Sequence, residues 1–286
     1  MNKYDSLDLA NVQVGGEMGR RIDLTLNELL LNVDVETIFL DWVRRKDYPG
    51  FAKMATGGYL GLGKFIDAAN QFARYAHNDQ ALAMKTHLVD EVLRHQLDDG
   101  YLGVTQKEFR LDGFWDLNEL LYLIFALVND YLWCHNRAAL TAAARQADYI
   151  ISNRQVVDAP MDLIKNNIER AFLALSESIG DNKYRDYCLE RFKLREWQEP
   201  VIGQHAYTFM NMCLAQLDLY DRELSASLLA TSHAVIDFLT RQDGLLIHGS
   251  CSRKELFHDT QEGITDIAET CATAYLIRLL DKLLRI

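Results

Sequence analysis

Apolar residues recur at steps of three and four along most of the chain. Leu62, Phe65, Ile66, Ala69, Phe72 and Ala73 form one such stripe, and Ala206, Phe209, Met210, Cys213, Leu217 and Tyr220 form a second. A third runs through Ala268, Cys271, Ala272, Tyr275, Leu276, Leu279 and Leu283. This spacing sets each group on one face of an α-helix. Between Leu117 and Leu132 almost every position is apolar, the pattern of a helix packed on several sides. Short polar connections separate the stripes: His77-Asn78-Asp79, His135-Asn136-Arg137, Gly180-Asp181-Asn182 and Tyr220-Asp221-Arg222. Their Asn, Asp and Gly residues stop one helix and cap the next. The pattern predicts about ten helices, near 22–43, 58–76, 79–97, 116–134, 137–153, 161–179, 182–195, 205–219, 222–241 and 264–284. Gly100 and Gly244, each following a helix, are expected as left-handed C-caps.

Helical hairpins that recur roughly every 40 to 57 residues predict an all-α fold. The expected architecture is an (α/α)6-type toroid of helical hairpins, one domain over residues 1–286. Twelve helices close such a ring. The pattern supplies about two fewer, so an incomplete toroid is expected, with an apolar edge open to self-association. In an alternating series the eighth and tenth helices run the same way, which brings their N-termini to one rim.

Composition narrows the function classes. Only 3 Pro and 16 Gly in 286 residues argue against a strand-and-turn or linker-rich chain. A net charge of −11 repels phosphate and speaks against a nucleic-acid partner. Charged residues interrupt every apolar stretch, leaving no membrane span. Met1-Asn2-Lys3-Tyr4-Asp5-Ser6 leads into no signal-like apolar run, so a cytoplasmic protein is expected. The 5 cysteines are scattered, with no CxxC, and read as reduced thiols.

The densest chemistry lies in Ile247-His248-Gly249-Ser250-Cys251-Ser252-Arg253-Lys254-Glu255-Leu256-Phe257-His258, followed by Glu269-Thr270-Cys271. Glu, His and Cys supply metal ligands, general acids and nucleophiles. Glu269 and Cys271 stand at a helix start, where the dipole favours carboxylate and thiolate. Against this, a cysteine on an apolar stripe is ordinarily a small buried hydrophobe.

Gly57-Gly58-Tyr59-Leu60-Gly61-Leu62-Gly63-Lys64, Gln96 with Asp99-Gly100-Tyr101-Leu102-Gly103, Trp115-Asp116-Leu117 and above all Glu269-Thr270-Cys271-Ala272 resemble glycoside hydrolase family 127. The resemblance runs in order from about Gly15 to the C-terminus. It implies an (α/α)6 barrel and β-L-arabinofuranosidase-like activity. It also implies that Glu269 and Cys271 are zinc ligands, because the family's Glu-Thr-Cys motif binds zinc. Lys254-Glu255-Leu256-Phe257 matches the stretch that carries the family's general acid/base, which implies that role for Glu255. Gly203-Gln204-His205-Ala206 resembles a family Gly-His-Ala stretch and implies His205 as a substrate-binding residue. Leu121-Tyr122 stand where the family has Gly-His. The family's nucleophile is a zinc-bound cysteine after the Glu-Thr-Cys motif, and no cysteine follows Cys271. The resemblance therefore implies a truncated chain, lacking the last hairpin and the β-sandwich domains, with weak zinc binding and poor hydrolysis.

Other candidates keep two readings. Asp99 lines the barrel mouth or caps a turn, and Trp115 and Tyr122 stack on a sugar or pack in the core. His205 contacts substrate or simply begins a helix. His248, His258 and Cys251 are alternative ligands. The function implied is retaining cleavage of terminal L-arabinofuranosyl or related sugars, with carbohydrate as partner. Its rivals are a non-catalytic sugar-binding or scaffolding toroid, and an uronyl hydrolase or epimerase on the same helical frame.

Overall fold

The structure, a computed structural model, describes residues 4, 7–49, 60–111, 114–153, 168–242, 244–246, 249–251, 255–258 and 270–286. These residues are helical, with two isolated β-bridges and no strand among them. They belong to two compact units. The N-terminal unit is Ser6–Val157 with Glu177–Gly180, and the C-terminal unit is Met1–Asp5, Asp158–Ser176 and Asp181–Ile286. Among the described residues no helix is long and apolar enough to cross a membrane.

The N-terminal unit contains α1 (Gly16–Leu24), α2 (Asp41–Arg45), α3 (Leu62–Ala76), α4 (Asp79–Arg94), α5 (Phe114–Cys134) and α6 (Arg137–Asn153). As its sequence predicts, α5 is buried on several sides, from Leu117 through Val128 with Phe125 the one partial exception. It packs against α3 and α6. A Cβ on Gly63 would lie 2.3 Å from the Tyr122 carbonyl carbon, so only glycine lets α3 approach α5 this closely. Glu119 of α5 reaches the start of α3, where its carboxylate accepts the Gly61 and Gly63 N–H groups at 2.8 and 3.1 Å. Burial pushes this carboxyl up, while the helix-terminal N–H groups favour its charged form. Lys85 of α4 and Asp130 of α5 form a buried pair at 2.7 Å. Asn136 donates to the other Asp130 oxygen and caps α6 by accepting from Ala139 N–H.

The helix expected over 22–43 is not continuous. Helical turns run from Gly16 to Asn32, Val33 is extended, and a new helical segment begins at Glu36 and ends with α2. Asp34 causes the break: its side chain accepts the Thr37 N–H, an N-cap that starts a second helix. The expected C-caps also differ. Gly100 does adopt φ +98, but α4 has already stopped at Arg94, so this glycine serves the later turn at Leu97–Tyr101. Gly244 is not left-handed; it is small because the Phe238 ring would meet a Cβ at 2.4 Å.

The C-terminal unit holds most of α7 (Ile168–Ile179), together with α8 (Lys183–Arg191), α9 (Ala206–Glu223), α10 (Ala230–Arg241) and α11 (Thr270–Arg285). Its core gathers Phe209, Met210, Cys213 and Leu217 of α9 with Val235 and Phe238 of α10 and Leu276 and Leu279 of α11. Tyr220-Asp221-Arg222, expected as a connection, is the last turn of α9. Lys282 of α11 holds it in the helix, bonding Asp221 and lying 3.1 Å from Asp218. At the other end Tyr207 meets Tyr275 with ring centroids 5.4 Å apart. Early residues thus meet early residues and late meet late, so α9 and α11 run parallel, as the helix count predicts.

Candidate active site

Parallel α9 and α11 bring their N-terminal ends to one side of the C-terminal unit. There the segment before α9 pairs with a second segment from 50 residues further on. Gly203 N–H donates to the Phe257 carbonyl, Phe257 N–H to Gln204, and Ala206 N–H to Glu255, each at 2.8 Å. This short antiparallel tie fixes two side chains. His205 is the N-cap residue of α9, extended in backbone and almost fully buried. Glu255 has φ +66, in the left-handed region that disfavours side chains, and its carboxylate is 59% exposed. Its Oε2 stands 3.4 Å from His205 Nε2.

Further groups hold the imidazole. Thr208, fully buried one turn along α9, places Oγ1 3.3 Å from His205 Nδ1. Tyr207 presents its ring edge-on to the imidazole at 4.6 Å, and Tyr275 of α11 backs Tyr207. Tyr275 in turn carries the Arg278 guanidinium 5.4 Å from its ring centre. An exposed carboxyl beside a buried, oriented imidazole can pass a proton to a group arriving from solvent.

Cys271 lies in the first turn of α11, one turn before Tyr275 and on the same side of the helix. It is exposed, not the buried hydrophobe that its apolar stripe suggests. Cys251 goes the other way: it is fully buried in the core with Phe257 and Phe238. Glu269 and His248 lie outside the described residues. Zinc sites take three or four protein ligands. Among the described residues no three His, Cys, Asp or Glu side chains come together as a metal site. No chemical step is assigned to a metal.

Asp99, Trp115 and Tyr122 belong to the N-terminal unit. Asp99 accepts the Tyr101 N–H at 3.0 Å, the turn-capping arrangement, and lies 3.6 Å from Arg110. Trp115 is half-buried in the first turn of α5. Tyr122 is buried beside Gly63, with Lys64 Nζ 4.4 Å from its ring centre. Sequence reasoning passed over the cluster behind Asp99. Arg110 stacks on Tyr101 at 4.1 Å, and Tyr101 donates 2.7 Å to Asp116. Burial pushes Asp116 up, and burial together with Asp116 pushes the Tyr101 phenol well up. It also passed over Tyr207 and Thr208. Their spacing from His205, two and three residues, is the only trace the sequence carries of either.

Residues 27–286 match the family described as "Beta-L-arabinofuranosidase, GH127 catalytic domain". No curated protein sequence matches the chain. Several solved structures share its fold. A GH127 β-L-arabinofuranosidase from Geobacillus stearothermophilus T6 superposes with a TM-score of 0.72 at 18% identity, covering 96% of this chain and 52% of its own. A second GH127 β-arabinofuranosidase gives 0.75 at 16% identity, over 98% of this chain and 51% of that one. A structure described only as a glycoside hydrolase gives 0.71 at 13%, over 99% and 49%. The chain thus spans about half the length of the structures it matches. The all-α, hairpin-built fold is that of these glycoside hydrolases, and the chain belongs to the GH127 β-L-arabinofuranosidase catalytic-domain family.

Proposed function

We propose that this chain is the helical catalytic portion of a glycoside hydrolase that removes terminal L-arabinofuranosyl or related sugars. Glu255 acts as the acid/base that protonates the departing glycosidic oxygen, and later takes a proton from the water that releases the sugar. His205 supports Glu255 from the buried side. The observation that carries this reading is the Glu255 backbone. A non-glycine residue is held left-handed by the tie to residues 203–206, and this aims an exposed carboxyl at a buried imidazole. Family membership supplies the substrate class. The group that attacks the anomeric carbon is assigned to no described residue.

The test is hydrolysis of a series of aryl L-arabinofuranosides with graded leaving groups. Glu255→Gln is expected to lose about 100- to 10,000-fold with poor leaving groups, the usual worth of general acid catalysis. It should lose far less with a good leaving group, which departs without protonation. An equal loss across the series would refute the assignment. Calorimetric binding of L-arabinose without turnover would instead favour the sugar-binding alternative.

A further inference from the structure

We propose that Thr208 is a positioning residue that fixes which nitrogen of His205 faces Glu255. Thr208 Oγ1 lies 3.2 Å from the His205 carbonyl oxygen and 3.3 Å from His205 Nδ1. A hydroxyl has one proton. The carbonyl can only accept, so that proton goes to it, in the back-bond to residue i−3 common for threonine in helices. The Oγ1 lone pair then faces Nδ1, and the contact is favourable only if Nδ1 carries a hydrogen. The opposite assignment leaves two acceptor oxygens facing each other.

The ring has little freedom to escape this. His205 is 5% exposed, Thr208 is fully buried, and Tyr207 closes one side of the imidazole. With its hydrogen on Nδ1, a neutral ring turns the Nε2 lone pair toward Glu255 Oε2 at 3.4 Å. In that tautomer Nε2 accepts, so its partner is the protonated carboxyl, whose single O–H points at the ring in the resting site and turns to the leaving oxygen when substrate arrives. The other tautomer would donate to Glu255 and suit a carboxylate. Thr208 therefore selects the ring face that matches an acid. The functional half of this inference rests on Glu255 acting as the acid; the tautomer itself does not.

The experiment is long-range proton–nitrogen correlation NMR of the 15N-labelled full chain, with His205 signals identified by their loss in His205→Asn. In the wild type and in Thr208→Ser, His205 Nδ1 is expected to bear the proton. In Thr208→Val, which keeps the shape and removes the hydroxyl, the ring should move to the Nε2–H tautomer that a free histidine side chain prefers. Circular dichroism checks that the variant folds, and Thr208→Ala repeats the reading if valine does not. An Nε2–H ring in the wild type, or an unchanged ring in folded Thr208→Val and Thr208→Ala, overturns the proposal. In a hydrolytically active preparation, Thr208→Val should lower kcat with little change in KM, and Thr208→Ser should restore it. A tautomer shift that leaves kcat intact would uphold the tautomer assignment and overturn its functional half.

Discussion

The left-handed backbone of Glu255 should make the proposed acid a local weak point of the fold. Holding an L-residue in this region costs about 1–2 kcal/mol, because Cβ crowds the carbonyl oxygen. Glycine escapes that cost but loses about 0.5–1 kcal/mol more chain entropy on folding than alanine does. Comparing Glu255→Gly with Glu255→Ala isolates the difference. Both variants delete the carboxylate and its contact with His205, worth at most about 1 kcal/mol for a group this exposed, so that loss cancels. What remains is about 0.8 kcal/mol in favour of glycine, within a range of about 0 to 1.5 kcal/mol. Urea unfolding followed by circular dichroism measures it. With a slope of about 3 kcal/mol/M, glycine should unfold about 0.3 M later than alanine. Both should lack acid-dependent hydrolysis. A glycine variant less stable than the alanine variant would show that the conformation carries no strain, and would remove the observation on which the site assignment rests.

Four further outcomes are expected. Lys85→Met should cost about 3–5 kcal/mol in urea unfolding by stranding Asp130, which is fully buried, and the double variant Lys85→Met/Asp130→Leu should recover much of that; equal stability of wild type and Lys85→Met would refute it. Burial pushes the Asp218 carboxyl up, but Arg170 and Lys282 bring it net below its ordinary value, so its stabilisation is complete above about pH 4 and is lost as pH falls through the lowered value. Acid titration of unfolding stability should accordingly be shallower below pH 4 in Asp218→Asn, and an unchanged slope would refute the coupling. Ile277, Leu280 and Leu284 are 63%, 47% and 70% exposed along one side of α11, so sedimentation velocity should show concentration-dependent self-association that Leu280→Glu/Leu284→Glu removes. After dialysis the chain should hold well under one zinc; stoichiometric zinc lost on Cys271→Ser would overturn the reading of the donor set.

Much of the helical frame was legible in the sequence because burial has a period. Among the described residues, the three apolar stripes are mostly buried or half-buried, and the apolar run of α5 is buried on several sides. The exceptions have long-range causes. Tyr220-Asp221-Arg222 reads as a polar break, yet Lys282, 61 residues on from Asp221, makes it a helical turn. Cys271 continues an apolar stripe, yet α11 turns that position to solvent. The break at Asp34 rests on a side-chain cap to the Thr37 N–H, which apolar spacing does not reveal. At the site, His205 and Glu255 were reached through resemblance and then found 3.4 Å apart. Thr208 and Tyr207 were not reached, since their place beside His205 follows only from the N-cap geometry of α9. Glu119 interrupts the apolar run of α5, and the backbone N–H groups of Gly61 and Gly63 explain it.

The tie between residues 203–206 and 255–257 also fixes when the site can exist during folding. The helices close through contacts three and four residues apart and form on the microsecond scale. The tie instead closes a loop of about 50 residues, at an entropic cost of about 3.5 kcal/mol before any of its hydrogen bonds forms. Among the described residues, three backbone hydrogen bonds and the burial of Phe257 offset that cost. The carboxyl and imidazole thus meet through long-range closure and not through contacts within one helix. In refolding, helicity should return first and the tyrosine environment of the site last. The proposed acid is therefore set in place by tertiary closure, and a chain helical but not yet closed holds His205 and Glu255 apart.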